Sequence, residues 1–179
     1  MLGFNRILLA TDFSAGATAA LQYAAVVARR SHATLQVLHV IDTRVAAFAH
    51  WTDVFRSTEV LAAQETQGTA ALEKLLAHPA LTGLTVERLV RHGHPADNII
   101  DVTANVDLVV MGTQGTTIAA GRAAGKVARQ VAHSSLAPVL LVPAAYRSAE
   151  ISATTALSLP IQRILLAYMS SNMHRRLSP

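Results

Sequence analysis

The sequence predicts an α/β protein built on an open parallel sheet, and three observations predict it. Short apolar runs alternate with helical patterns in the order β-α-β-α-β-α-β-α-β, which calls for right-handed crossovers rather than hairpins. The second run, "ATLQVLHVID", is largely apolar on both of its alternating faces, as a strand covered by helices on each side should be. The apolar content, 51% of 179 residues with only 4% aromatics, is mostly Ala, Val and Leu, a composition suited to helices packed on a sheet.

Each element has its own signal. "RILLAT" (Arg6 to Thr11) is an apolar run halted by "DFS", after which "AGATAALQYAAVVARR" places Leu21, Ala24, Ala25 and Ala28 at helical spacing. In the second strand Leu35, Val37, His39 and Ile41 alternate with Thr34, Gln36, Leu38 and Val40. No clear pattern marks Thr43 to Thr58, which holds the lone Trp51. A long helix is expected through "EVLAAQETQGTAALEKLLAH", stopped by Pro79, followed by a third strand in "LTVERLV". "PADNIIDVTANV" reads as a short helix opening at Pro95, and "DLVVMG" as a fourth strand. "GKVARQVAHSS" gives a helix with Val127 and Val131 on one face, and "APVLLVP" a fifth strand.

The chain divides into a domain over 1–146, an Ala/Ser/Thr-rich linker over 147–160 and an extension over 161–179. The extension contains "QRILLAY", a close copy of "NRILLAT" at the start, with Met169 where the first copy has Asp12. It reads as the first strand of a truncated second repeat, which cannot fold alone and is expected to dock as an extra strand, because a free "ILLAY" is an aggregation hazard.

Composition excludes several classes of function. With no cysteine there is neither disulfide nor thiolate metal site. The net charge of +4 is scattered rather than gathered into a basic, aromatic-laced patch, so nucleic acid is not an expected partner. No apolar run is long enough for a bilayer span and no signal-peptide head opens the chain, so the expected setting is the cytoplasm without membrane attachment.

In open α/β sheets ligands bind beyond the carboxyl ends of strands, where strand order reverses. The two most suggestive loops follow strands one and four: "ATDFS" and "GTQGTTIAAGRAAGK". Glycines let backbone N–H groups approach an anion without an intervening Cβ, and Gly125, just before a helix, puts an anion at the positive end of the helix dipole. The competing reading is a flexible surface loop. For Asp12 a helix cap or turn role competes with a carboxylate accepting hydrogen bonds from a ligand's hydroxyl or amino groups. The loop is not a Walker A motif, since Ala120 stands where its first Gly belongs and Val127 where its Ser/Thr belongs, and no G-x-G-x-x-G follows strand one.

The spacing Gly112, two residues, Gly115, nine residues, Gly125, together with "ILLATDFS", "GHPADNI" and "APVLLVP", closely resembles the universal stress protein family over residues 4 to 143. The resemblance implies a Rossmann-like five-stranded sheet in the order 3-2-1-4-5 with helices on both faces, and a homodimer through the last strand, which the extension can join. It further implies ATP, with or without Mg2+, as the ligand of a stress-response regulator. By that resemblance Ala10, Thr11 and Asp12 line the base and ribose, with Val40 beside the adenine. Met111, Gly112, Gln114 and Gly115 follow the ribose and phosphates, and Gly125, Lys126 and Val127 close the phosphate end. Lys126 departs from the family's Ser or Thr: it keeps the N–H but replaces a short neutral donor by a long cation, which either reaches a phosphate or points to solvent.

Other candidates are weaker. His92 and His94 flank Gly93 without a third ligand at telling spacing, so a turn with two exposed imidazoles is expected rather than a metal site. His39 reads as a packed or hydrogen-bonded strand residue. Ser134-Ser135 has no triad partners that spacing identifies, and no acid/base pair is evident, so catalysis beyond slow ATP hydrolysis is not expected. Three functions remain open: a nucleotide-binding regulatory dimer, a non-binding dimerisation module of the same family, and a weak ATPase or phosphotransferase.

Overall fold

The structure, a computed structural model, describes residues 3–43, 54–113 and 124–143, with side chains described outside 54–58. The strands are β1 (Arg6–Thr11), β2 (Thr34–Ile41), β3 (Val86–His92), β4 (Leu108–Gly112) and β5 (Val139–Val142), and the helices α1 (Ala15–Ser31), α2 (Val54–Leu76), α3 (Pro95–Val102) and α4 (Lys126–Ser134). Short 3-10 turns at Pro79–Leu81 and Thr103–Asn105 close α2 and α3. The expected extra strand, the linker and most of the glycine loop lie outside the described residues.

The five strands run parallel in the order β3-β2-β1-β4-β5, as expected. β1 is central and buried on both sides: Ile7, Leu8 and Leu9 are fully buried, two on one face and one on the other. Each such side chain contributes about 1.5–3 kcal/mol of burial. On one face Ile7, Leu9, Leu35, Val37 and Val110 pack with Ala20, Leu21, Ala24 and Ala28 of α1 and Leu72 of α2. On the other, Leu8, Ala10, Leu38, Val109 and Met111 pack with Ala96, Ile99 and Val102 of α3 and Ala128 and Val131 of α4. The alanine-rich face of α1 lets its backbone lie close to the sheet.

Several boundaries differ from the sequence reading by two residues or more, and three of them have a clear physical reason. α2 begins at Val54 rather than Glu59. Of the residues Val-Phe-Arg-Ser-Thr all but the arginine are mediocre helix formers, but a helix already nucleated downstream extends through them. α3 stops at Val102, not Val106, because Thr103 turns the chain: its Oγ1 donates to Ile100 O at 2.7 Å and accepts from Leu136 N at 3.0 Å. β3 starts at Val86, not Leu84, since Gly83 has φ +76° and Leu84 N closes a turn onto Leu81 O.

The two sheet edges differ. β3 carries Glu87, Arg88, Arg91 and His92, which approach Arg6, Glu73, Asp101 and Glu65 respectively. Such an edge resists strand addition. β5 is short and apolar, with Leu140 and Leu141 half-buried and Leu136 exposed beside it; among the described residues nothing pairs with its outer side.

Candidate functional site

β1 and β4 are neighbours whose following helices lie on opposite faces of the sheet, so a crevice opens where their chains part. Register puts Ala10 abreast of both Leu38 and Met111, and Thr11 abreast of His39. The ends of β1 and β4 therefore bring Ala10, Thr11, Asp12, Met111 and Gly112 to one rim. Val40 follows His39 on β2 and packs, half-buried, on the α3/α4 face. Gln114 and Gly115 lie outside the described residues.

After β1 the chain makes a tight turn. Phe13 N donates to Thr11 Oγ1 at 3.1 Å, and Ser14 N donates to Asp12 Oδ1 at 3.1 Å. Ser14 is the N-cap of α1, its Oγ accepting from Ala17 N at 3.2 Å. Asp12 is thus a turn residue two positions before the cap, and its side chain is exposed at the crevice. Phe13 takes φ +62°, the left-handed region, which a bulky residue occupies only when its surroundings hold it there.

The glycine loop leaves and returns at one point. Thr113 N donates to Val142 O at 2.9 Å, and Gly125 N donates to Thr113 O at 2.7 Å, so the intervening segment starts and finishes beside β5. Gly125 is the N-cap of α4 with φ −61° and ψ 162°, a conformation open to any residue. Its own amide is committed to Thr113, so the amides without an intrahelical acceptor are those of Lys126, Val127 and Ala128. Gly125 supplies no capping side chain, and the first turn contains no acidic residue. Lys126 occupies the first helical position, exposed, where a cation opposes the helix dipole.

Gly112 has a reason the motif does not reveal. A Cβ there would lie 2.7 Å from the carbonyl carbon of Gly16 and 3.0 Å from Ala17 N, both backbone atoms of α1. Its identity follows from close helix–strand packing, whatever the loop holds.

Sequence reasoning passed over Phe13 and read His39 only as packed or hydrogen-bonded. The β2 register set against β1 is the signal that places His39 at the rim. His92 ends β3 and His94 is the N-cap of α3, with Gly93 between them at φ +119°; His92 is exposed as expected, whereas His94 is half-buried. His92 Nδ1 is 3.4 Å from Glu65 Oε1. His94 Nδ1 is 3.2 Å from Asp97 Oδ2, near enough for attraction when protonated but out of line for a hydrogen bond. Among the described residues no three His, Asp or Glu side chains gather as a metal site, and no helix is long and apolar enough to cross a membrane.

An open parallel sheet in this strand order, with helices on both faces, defines a doubly wound α/β protein, and the turn carrying Asp12 and the start of α4 follow its two central neighbouring strands. The family model described as Universal stress protein family matches residues 3–143, and the chain belongs to that family. It is 28% identical over 146 residues to universal stress protein YxiE of Bacillus subtilis, covering 78% of this chain and 99% of that one. Among solved structures it is similar to hypothetical protein MJ0577, with a TM-score of 0.70 and 25% identity over 79% of this chain and 97% of that one. It is also similar to UspA of Lactobacillus plantarum, with a TM-score of 0.66, 22% identity, and coverage of 79% and 99%.

Proposed function

We propose that this universal stress protein binds ATP at the β1–β4 switch point and acts as a regulatory homodimer in the cytoplasm. The observation that carries the reading is the first turn of α4: three backbone amides without intrahelical acceptors, no capping side chain, no acid, and a lysine at the first helical position. For the isolated helix that lysine is unfavourable by about 0.3–1 kcal/mol; a bound phosphate reverses the sign. Lys126 therefore adds to the anion site instead of abolishing it. At the other end Asp12 is placed to accept hydrogen bonds from ribose hydroxyls, with Ala10, Thr11 and Val40 beside the base and Met111, Gly112, Gln114 and Gly115 along the ribose and phosphates. Two proteins of the same fold support an adenine nucleotide: a universal stress protein in complex with cAMP and an Arabidopsis thaliana family protein with AMP bound. Mg2+ would accompany the phosphates as their counter-ion. Binding rather than turnover is the proposed activity.

The test separates amide from ammonium. Purified protein is extracted with acid and assayed for adenine nucleotide, and ATP is titrated calorimetrically into wild type, Lys126→Ser and Lys126→Pro. Proline is well tolerated at a first helical position, so the last variant removes both the N–H and the charge while keeping α4. The expected order of affinity is wild type, then serine, then proline, with proline at least about 10-fold weaker. Absence of saturable ATP binding to wild type refutes the proposal. One observation favours the non-binding module as the alternative: Gly112 is required by packing alone, so part of the glycine motif persists without a ligand.

For the dimer, the β5 edge, which pairs with nothing among the described residues, and exposed Leu136 supply the surface, extended by the strand-like copy in 161–179. Sedimentation equilibrium of wild type, Leu136→Asp and a truncation after Pro143 tests it. A monomeric wild type refutes the dimer, and an unchanged dimer on truncation removes the extension from it.

A further inference from the structure

The rim of the crevice contains one aromatic contact and one side-chain bond that the nucleotide reading does not use. His39 Nδ1 lies 3.0 Å from the carbonyl oxygen of Thr11. The carbonyl has no proton to give, so Nδ1 carries the hydrogen and donates it. The same ring stacks, tilted by 39°, on Phe13 with centroids 4.5 Å apart. Its far side is fixed by α2, where Gly68 leaves room for it: a Cβ at Gly68 would stand 3.0 Å from His39 Nε2 and 3.1 Å from Cδ2. The imidazole is therefore clamped between a helix backbone and the turn that carries Asp12.

That turn needs holding. Phe13 sits at positive φ, its amide donating to Thr11 Oγ1 on one side and Ser14 beginning α1 on the other. A donor on Thr11 O and a ring against the Phe13 side chain constrain both residues that flank Asp12. From this geometry we infer that His39 is a positioning residue for the ligand site: by bonding Thr11 O and packing on Phe13 it fixes the Asp12 carboxylate in the orientation that receives the nucleoside hydroxyls. This rests on the nucleotide reading for its ligand, but the clamp itself belongs to the unliganded fold. It also gives α2, which contributes no residue to the site, a mechanical connection to it.

The experiment uses the full chain, with ATP as probe, and two substitutions at one position. His39→Leu keeps an apolar body and removes the donor; His39→Asn restores an N–H near the place of Nδ1. In the unliganded protein, amide hydrogen exchange at Phe13 and Ser14 should accelerate in His39→Leu and stay close to wild type in His39→Asn, while exchange in the β1 and β4 core is unaltered in both. The ATP dissociation constant should rise about 5- to 10-fold in His39→Leu and by less than about 2-fold in His39→Asn. In a cycle with Asp12→Asn, His39→Leu should cost less than about 2-fold once the carboxylate is gone, because it acts through that group. Wild-type exchange and affinity in His39→Leu overturn the inference, as does a His39→Leu penalty that multiplies with that of Asp12→Asn. A wild type that binds no ATP is seen before any substitution is made, and overturns the nucleotide reading together with the role built on it.

Discussion

Substituting Gly112 by alanine adds one methyl group at the place where β4 meets the first turn of α1. The new carbon would stand 2.7 Å from the Gly16 carbonyl carbon and 3.0 Å from both Gly16 O and Ala17 N. Every one of those atoms is main chain, so no rotamer change relieves the contact, and helix and strand must part by roughly 0.7 Å to reach ordinary van der Waals separation. Overpacking of this kind costs about 1–3 kcal/mol. For a domain of this size each kcal/mol lowers the melting temperature by about 2–4 °C, so Gly112→Ala should melt roughly 2–12 °C below wild type. Thermal unfolding followed by circular dichroism reads the shift. Gly3→Ala is the control, because a Cβ there meets nothing within 4 Å. Melting of Gly112→Ala within about 1 °C of wild type would refute the steric argument. The experiment also guards the binding assays, since lost ATP affinity in a Gly112 variant reports displaced backbone before it reports a missing phosphate contact.

Three further outcomes are expected. Thr103→Val keeps the buried volume but removes the acceptor for Leu136 N and the donor to Ile100 O, so urea denaturation should show a loss of about 1–3 kcal/mol. Ser14→Ala deletes the α1 cap and should cost about 1 kcal/mol by the same assay, with Ser14→Gly milder. Asp107→Ala frees the amides of Asn5 and Arg6, which donate to Oδ2 at 2.7 and 2.9 Å and tie the start of β1 to the start of β4. Because the site is exposed, a loss near 1 kcal/mol is expected, read from the denaturation midpoint.

How much of this was legible in the sequence depended on whether the cause is local. The run Ile7-Leu8-Leu9 announces a strand buried on both faces, and Pro79 and Pro95 mark a helix end and a helix start, because those signals act within a few residues. Strand order is a relation among distant segments and came only from the family resemblance. The start of α2 was missed because most of its first five residues have poor propensity, and the end of α3 because the bond that ends it reaches Leu136. At the site, Asp12 and the glycines were found by motif. The demand on Gly112 by Gly16, and the link from His39 to Thr11, arise from packing between elements that spacing along the chain does not record.

The unlike edges of the sheet have a bearing on solution behaviour. A body able to add strands on both sides can propagate without limit, whereas one side of this sheet is guarded by Glu87, Arg88, Arg91 and His92. Among the described residues, that leaves the short β5 side to recruit. Once two such sides have met about a two-fold axis, both molecules turn guarded strands outward and recruitment is finished. Under the proposed β5 pairing, the charge on β3 would limit assembly by edge pairing to two and keep a sheet with an apolar flank from seeding a fibre.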